Sequence, residues 1–445
     1  MPLFLPGTNN IMKTLFLSDA MAAAFTKKER TFYFLLLFFF FALYMPGVDW
    51  LYNVGMWLIF VGSFFYNTPR EKWEILKKRK AVLLLIVFFL LNFASGLLSH
   101  NSKEGISWIG IRISFLVFPV AIGSVFISQL LKERILLAFV VATCCAATLC
   151  IVHASILAAY QHDLSLLYND NLSYIINLQS IYFAMLVNMA LFSFAYLYAI
   201  KSTLVYKYSW LPVLLILLPV HFLLASRIAI IILYSLIFLF AVYTAVYRKK
   251  IWQGLALATG LVTAALLLLL IFPKTLNRFK ELGYTKYNYS SRGRESHFNM
   301  AITTDQWNGA NLRLAVWSCA WAVTKDHMLF GTGLGDKMEV LKKQYAAKGF
   351  AFGEYTNRNV HNSYLDVWMS LGLIGLILFL AGILILPALT CIKTGDWYGL
   401  LVITALCVSI ISETYIDRTV GNTILSFFLS FIACYKKPGE LPGLY

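Results

Sequence analysis

Apolar residues in this chain come in long blocks separated by short polar turns. Windows of membrane-spanning length pick out twelve of them, near 31–46, 48–66, 81–98, 105–128, 135–160, 179–200, 209–226, 228–247, 251–272, 363–390, 397–414 and 418–435. The alternation of an outer-membrane barrel is absent, and a run such as Phe34–Phe41 is too rich in Phe and Leu to be anything but lipid-facing or bundle-core helix. The pattern predicts an all-α polytopic membrane protein with about twelve transmembrane helices, preceded over residues 9–25 by a surface-lying or reentrant helix. Residues 1–272 would hold an N-terminal cytoplasmic segment and helices one to nine, 273–362 a loop domain, and 363–445 the last three helices and a tail.

Composition agrees. Of 445 residues 60% are hydrophobic and only 13% charged, with a mean hydropathy of +0.72. That excludes a soluble enzyme, a disordered chain and a fibrous repeat. Six of the seven Cys lie in or beside apolar stretches. Cys319 has no obvious partner and there is no CxxC, so neither a disulfide scaffold nor a zinc site is supported. Lys27-Lys28-Glu29-Arg30 follows the weakly apolar Ile11–Phe25 with no small-residue cleavage site, unlike a signal peptide.

The net charge of +16 gains meaning from its distribution. With the N-terminus placed inside, the inner loops and termini carry 20 Lys/Arg and the short outer loops three, Lys103, Arg227 and Arg418. This fits the positive-inside rule with both termini cytoplasmic and an even number of spans. Arg112 is left inside a span. The segment 273–362 holds 13 Lys/Arg against 7 Asp/Glu, and a connection of that length is usually functional.

Two helices are predicted in this loop. Asn311 can cap one running to about Thr324, with Leu314, Trp317, Ala320 and Trp321 on one face. Asp336 with Glu339 resembles a capping box for another, ended by Gly349. Between them Gly331-Thr332-Gly333-Leu334-Gly335 makes a tight turn, and 284–308, rich in Tyr, Ser, Asn and Arg, reads as mobile.

Ionisable groups at membrane depth are costly, so their placement is informative. Arg112, His361, Asp366, Glu413, Asp417 and Arg418 fall at or near outer helix ends. Arg227 sits in the outer turn after span seven, with His221 less than two turns below. Such a cationic layer suits a diphosphate held at the leaflet surface by a lipid tail, because Arg forks match phosphate oxygens bidentately. The arginines would stabilise the departing charge with no metal, and His361 is the candidate base for a sugar hydroxyl. Blander roles stand beside these: arginines at helix ends as interface anchors, Arg112 as a partner of Glu413 or Asp417, and the glycine turn as a backbone bend.

His361-Asn362, nine residues, then Gly372-Leu373-Ile374-Gly375 resembles the His-(Asn/Ser/Gln)-x9-Gly-x-x-(Gly/Thr/Tyr) pattern of bacterial O-antigen ligases. Ser226-Arg227, and Arg313-x3-Trp317 followed by Leu329-Phe330-Gly331-x-Gly333, look like the arginine regions of the O-antigen ligase and polymerase superfamily. Ligases often show Arg-x3-Leu, whereas Ile231 stands four after Arg227 here.

The resemblance implies a C-type glycosyltransferase (GT-C) fold in the bacterial inner membrane with a periplasmic loop and active site. Its members move a glycan from undecaprenyl diphosphate to an acceptor without metal or nucleotide, the ligase acceptor being a lipid A-core sugar hydroxyl in lipopolysaccharide biosynthesis. Arg227 and Arg313 would hold the diphosphate and His361 activate the acceptor. Arg112, Arg418, Asn362, Gly331 and Gly333 are further candidates for binding diphosphate or acceptor. No cofactor and no nucleic-acid partner are expected. A polymerase, a protein O-oligosaccharyltransferase and a lipid-linked sugar transporter are the alternatives. Transporters, however, gather their charges near the midplane.

Overall fold

The computed structural model describes residues 25–206, 208–271, 276, 279–296 and 306–434. The helix expected over 9–25 lies, except for Phe25, outside the described residues, as does the tail 436–445. Each apolar block is helical. In chain order the main helices are α1 (Lys27–Ala42), α2 (Leu51–Tyr66), α3 (Pro69–Lys78), α4 (Lys80–Leu98), α5 (Ser102–Arg112), α6 (Ser114–Ala121), α7 (Gln129–Gln161), α8 (Ser180–Ala199), α9 (Trp210–Leu223), α10 (Arg227–Val246) and α11 (Ile251–Ile271). The loop adds α12 (Asn311–Asp326) and α13 (Lys337–Ala347), and α14 (Ser363–Leu380), α15 (Leu386–Thr394), α16 (Trp397–Ser409) and α17 (Thr419–Cys434) complete the bundle. Among the described residues there is no strand, only one isolated bridge between Glu295 and Trp307. Six helical stretches are long and apolar enough to cross a membrane, and five shorter apolar helices accompany them. The chain is a multi-pass membrane protein.

Aromatic rings fill the centre. Phe39 and Phe40 of α1 meet Phe118, Phe139 and Phe427 at centroid separations of 5.3–5.6 Å, and such pairs add about 0.5–1.5 kcal/mol each beyond area burial. Phe38 and Phe41 on the same helix face outward, so the Phe34–Phe41 run serves core and lipid at once.

Part of the inner-loop charge is structural. Residues 67–80 are not a plain loop: Thr68 and Glu71 form a capping box, Pro69 opens the first turn, and α3 follows. Its Lys72 is buried, donating to Val120 O at 3.1 Å and Ser124 Oγ at 2.9 Å. Burial pushes its ammonium down to about 8. Arg79 donates to the carbonyls of Gly123 and Val125. Lys72 thus satisfies a carbonyl in the last turn of α6, and Arg79 two in the segment that follows it.

The loop has a core of its own, with Trp307, Leu312, Val316, Cys319, Tyr345 and Phe350 among its buried residues. In α12 the buried stripe is Leu312, Ala315, Val316, Cys319, Ala320 and Val323. Of the expected face, Leu314 and Trp321 are exposed, whereas Ala320 belongs to the buried stripe and Trp317 packs against the loop core. The cap is Asn308, whose Oδ1 accepts from Ala310 and Asn311 N–H, rather than Asn311. Asp336 makes no capping box. Its carboxylate reaches across to the N–H groups of His100 and Asn101 at 2.9 and 2.8 Å, at the start of α5. Gly349, with φ +65°, does end α13. Within 284–308, Tyr287, Tyr289 and Trp307 pack on the loop core, and 297–305 lie outside the described residues.

Two junctions join the loop domain to the bundle. At the first, Lys337 Nζ, fully buried, sits 3.0 Å from both oxygens of Asp366 and 2.6 Å from Asp417. Arg112 Nη2 meets the same carboxylates at 3.1 and 3.0 Å, and its other nitrogens reach Asn92 and Ile416 O. At the second, α14 breaks at Gly372 (φ +68°, ψ −170°), and residues 328–333 bond into the break. Thr332, Gly333 and Leu373 N–H donate to Met369, Ser370 and Met328 carbonyls at 2.9–3.0 Å. A Cβ on Gly372 would lie 2.1 Å from Leu329 O, and one on Gly331 2.4 Å from Ser370 C, so only glycine allows this backbone crossing.

Removing one member of the quartet leaves an uncompensated buried charge, which typically costs about 3–5 kcal/mol. Lys337→Met is therefore expected to lower the melting temperature of the purified protein markedly. A transition unchanged from that of the parent would remove the quartet as the clamp between loop and bundle.

Candidate functional site

The site forms where α10, α12 and the segments before α14 and α17 converge. Arg227 is the first residue of α10, aimed by a tight turn in which Ala225 takes φ +48°. Its Nη1 lies 3.4 Å from Glu281, a buried carboxylate. Arg313, in the first turn of α12, donates through Nε to Ser412 O at 3.0 Å and through Nη1 to Gly309 O at 2.6 Å. One turn later on the same face, Trp317 Nε1 donates to Val360 O at 2.9 Å, fixing the residue before His361. The Arg313-x3-Trp317 spacing thus lets one helix face hold both chain segments that supply the site.

Gly309 explains the proximity of the two arginines. A Cβ there would stand 2.3 Å from Arg227 Nη2 and 3.2 Å from Arg313 Nη1. Both guanidinium groups face one spot that a side chain would fill.

His361 has φ +50°, a region that non-glycine residues seldom occupy and that clusters at functional sites. Its Nδ1 lies 3.1 Å from both carboxylate oxygens of Glu413, which Arg313 Nη2 also approaches at 4.0 Å. Nδ1 therefore carries the proton toward Glu413, and Nε2 presents a lone pair. Burial raises the Glu413 carboxyl, but the His361 ring that bonds it and the Arg313 guanidinium beside it outweigh this and hold the group below its ordinary value. His361, Glu413, Arg227 and Arg313 side chains are all partly accessible, between 13% and 24%, as a site that meets substrate must be.

The remaining sequence candidates occupy other places. Arg112 is fully buried and engaged by Asn92, Ile416 O, Asp366 and Asp417, so its structural pairing is with Asp417 and not Glu413. Asn362 caps α14, accepting from Leu365 N–H at 3.0 Å, while its own N–H donates to Thr414 Oγ1. The N–H groups of Gly331 and Gly333 are taken by His327 and Ser370 carbonyls. Arg418 is exposed just before α17. His221, buried in α9, bonds Asn188 through Nε2 at 2.6 Å, and Asn188 Nδ2 donates to Ala229 O in the first turn of α10.

Glu413, Glu281, Gly309 and Lys337 were not singled out as site or clamp residues from sequence. From sequence Glu413 is one acid of the outer layer and a possible partner of Arg112. The Asn308-Gly309 step before a helix start was the one local signal available for the glycine.

A carboxylate with a lowered pKa stabilises the fold above its unfolded value of about 4.3, and that contribution is lost as pH falls through the lower folded value. Wild type should therefore exceed Glu413→Gln in melting temperature by a constant margin from pH 8 down to about 5. The margin should close below about pH 4. A margin that closes well above pH 5 would overturn the lowered Glu413 carboxyl.

Residues 212–380 match the model of a family described as O-Antigen ligase. The matched segment holds Arg227, Gly309, Arg313, His361 and Gly372, while Glu413 and the Arg112 side of the quartet lie outside it. No curated protein matches the chain. With the three motif residues inside it and brought together in space, the segment 212–380 is similar to the O-antigen ligase family.

Proposed function

We propose that the protein is an O-antigen ligase of the bacterial inner membrane, with twelve spans, a GT-C fold and a site facing the periplasm. It would transfer a glycan from undecaprenyl diphosphate to a sugar hydroxyl of lipid A-core without a metal. The observation that carries this reading is the convergence of Arg227, Arg313 and the His361–Glu413 pair around Gly309. The depth of the site supports it. Asp366 is tied through Arg112 to Asn92, two turns below the end of α4, so the start of α14 stays close to the apolar boundary.

In this mechanism the diphosphate enters the space over Gly309 and takes Arg227 and Arg313 from their present carboxylate partners. His361 Nε2 accepts the proton of the acceptor hydroxyl while Glu413 stabilises the imidazolium that forms. The freed oxygen attacks the anomeric carbon, the bond from that carbon to the diphosphate oxygen breaks, and the electron pair leaves on the diphosphate. Two guanidinium groups neutralise the charge that develops there.

Transfer of labelled glycan from a purified lipid-linked donor to lipid A-core is the direct test. His361→Ala should lower the rate by about 10²–10⁴, and Arg227→Ala or Arg313→Ala by about 10²–10³, with normal membrane insertion. Full activity of His361→Ala would remove the proposed base. In cells lacking the protein, loss of all polymer from lipid A indicates a ligase, whereas retention of a single repeat indicates a polymerase.

A further inference from the structure

The loop domain ends in an apolar tip that the proposed chemistry does not use. Met328, Leu329 and Phe330 are 45%, 57% and 77% exposed, where a soluble loop would carry polar residues. Trp321 extends the patch. It stands edge-on to Trp368 at 5.2 Å, and Trp368 Nε1 in turn donates to Met328 O.

Two contacts give the height of this tip. The first is the crossing at Gly372, where Leu373 N–H donates to Met328 O. Beyond it, residues 373–394 form a helical stretch about 33 Å long at 1.5 Å per residue, the thickness of a bilayer's hydrocarbon core. Ile374 and Ile377, just past the crossing, are outward-facing apolar residues of that stretch. The second is on another helix. Leu334 and Gly335 N–H donate to Ser95 and Ser99 at the end of α4, itself long and apolar enough to span. Both spanning segments therefore end at the level of residues 328–335. Lys325, whose ammonium lies over the Trp321 ring, sits at the patch border as a snorkelling cation would.

We infer that the Trp321–Phe330 tip is a lipid-contact surface. It seats the loop domain in the interfacial layer of the bilayer on the loop side, and α14 begins its membrane crossing at Gly372 rather than at Ser363. The occupant is the bilayer, because Leu329 and Phe330 meet α14 at Gly372, directly before its outward-facing Ile374 and Ile377, while the exposed Lys325, Asp326 and His327 form the polar side of the same tip. Aromatic and apolar side chains flanked by a cation are the interfacial composition. This inference does not depend on the reaction assigned to His361.

Depth measurement on the full chain in phosphatidylglycerol–phosphatidylethanolamine vesicles tests it. A nitroxide is placed at Phe330→Cys or Leu329→Cys in a Cys144→Ser/Cys145→Ser background, since the other native thiols are buried. Reference labels are Ile377→Cys for lipid and Lys343→Cys for the solvent-facing loop. Labels at 329 and 330 should favour oxygen over a water-soluble nickel complex, with a ratio shifted from that at 343 toward that at 377. A ratio equal to that at 343 overturns the inference. Low access to both quenchers does so too, since it would mean that protein, a second copy or a partner, covers the tip.

Discussion

Four charges sealed from water determine how this molecule is assembled. Lys337 comes from the loop, Arg112 from the end of α5, Asp366 from the first turn of α14 and Asp417 from the segment before α17. The group is neutral as a whole, and every member touches a partner of opposite sign. Only such complete pairing makes burial of this kind tolerable. A lysine alone under the loop would have had to lose its charge, and an arginine alone in the bundle would have drawn in water. The Lys337 ammonium also lies 4.2 Å from the centre of the Trp108 ring, so its remaining face is occupied as well.

The catalytic candidates inherit their position from that quartet. His361 lies five residues before Asp366, and Glu413 four before Asp417. The two segments are sewn together between these points: Ser363 Oγ donates to Glu413 O and accepts Tyr415 N–H, and Asn362 N–H meets Thr414 Oγ1. Arg313 and Trp317 reach the same two segments from the other side. The imidazole is held by contacts reaching it from the bundle and from the loop, and a positive φ at His361 persists because both ends of its segment are fixed.

That the apolar blocks are helical was legible in the sequence because lipid allows few alternatives. Their limits were not: among the described residues six helical stretches are long enough to span, and the blocks at 105–128 and 363–390 are broken near Ile113 and at Gly372. A block of twenty apolar residues must satisfy its backbone internally, so length and hydropathy suffice. The motif residues were legible through resemblance, and their convergence was not contradicted by any spacing. What periodicity could not supply was the partner of each charge. Lys337 and Glu413 look like ordinary loop residues, and the acids that neutralise Arg112 lie 254 and 305 positions away in the chain. Capping was misread for a similar reason. Asp336 has the local pattern of a capping box, but the start of α5 offers two N–H groups closer to it in space. The positive-inside count was sound as arithmetic, yet Lys72 and Arg79 also bind carbonyls at the end of α6 and in the segment after it.

The x9 spacing in His-Asn-x9-Gly then acquires a physical meaning. Asn362 caps the helix that starts at Ser363, and Gly372 ends that helix's regular path where residues 328–333 cross it. The nine residues between are the length of helix separating the base from the crossing. Asp366 and Ser370 within it face the quartet and the loop. Lengthening or shortening this segment by one residue would turn Asp366 by about 100° relative to one of its two anchors, since a helix advances that much per residue. A side chain at Gly372 would instead push the loop off the helix altogether. The glycine is therefore as much a part of the site's geometry as the histidine, although it lies outside the site itself.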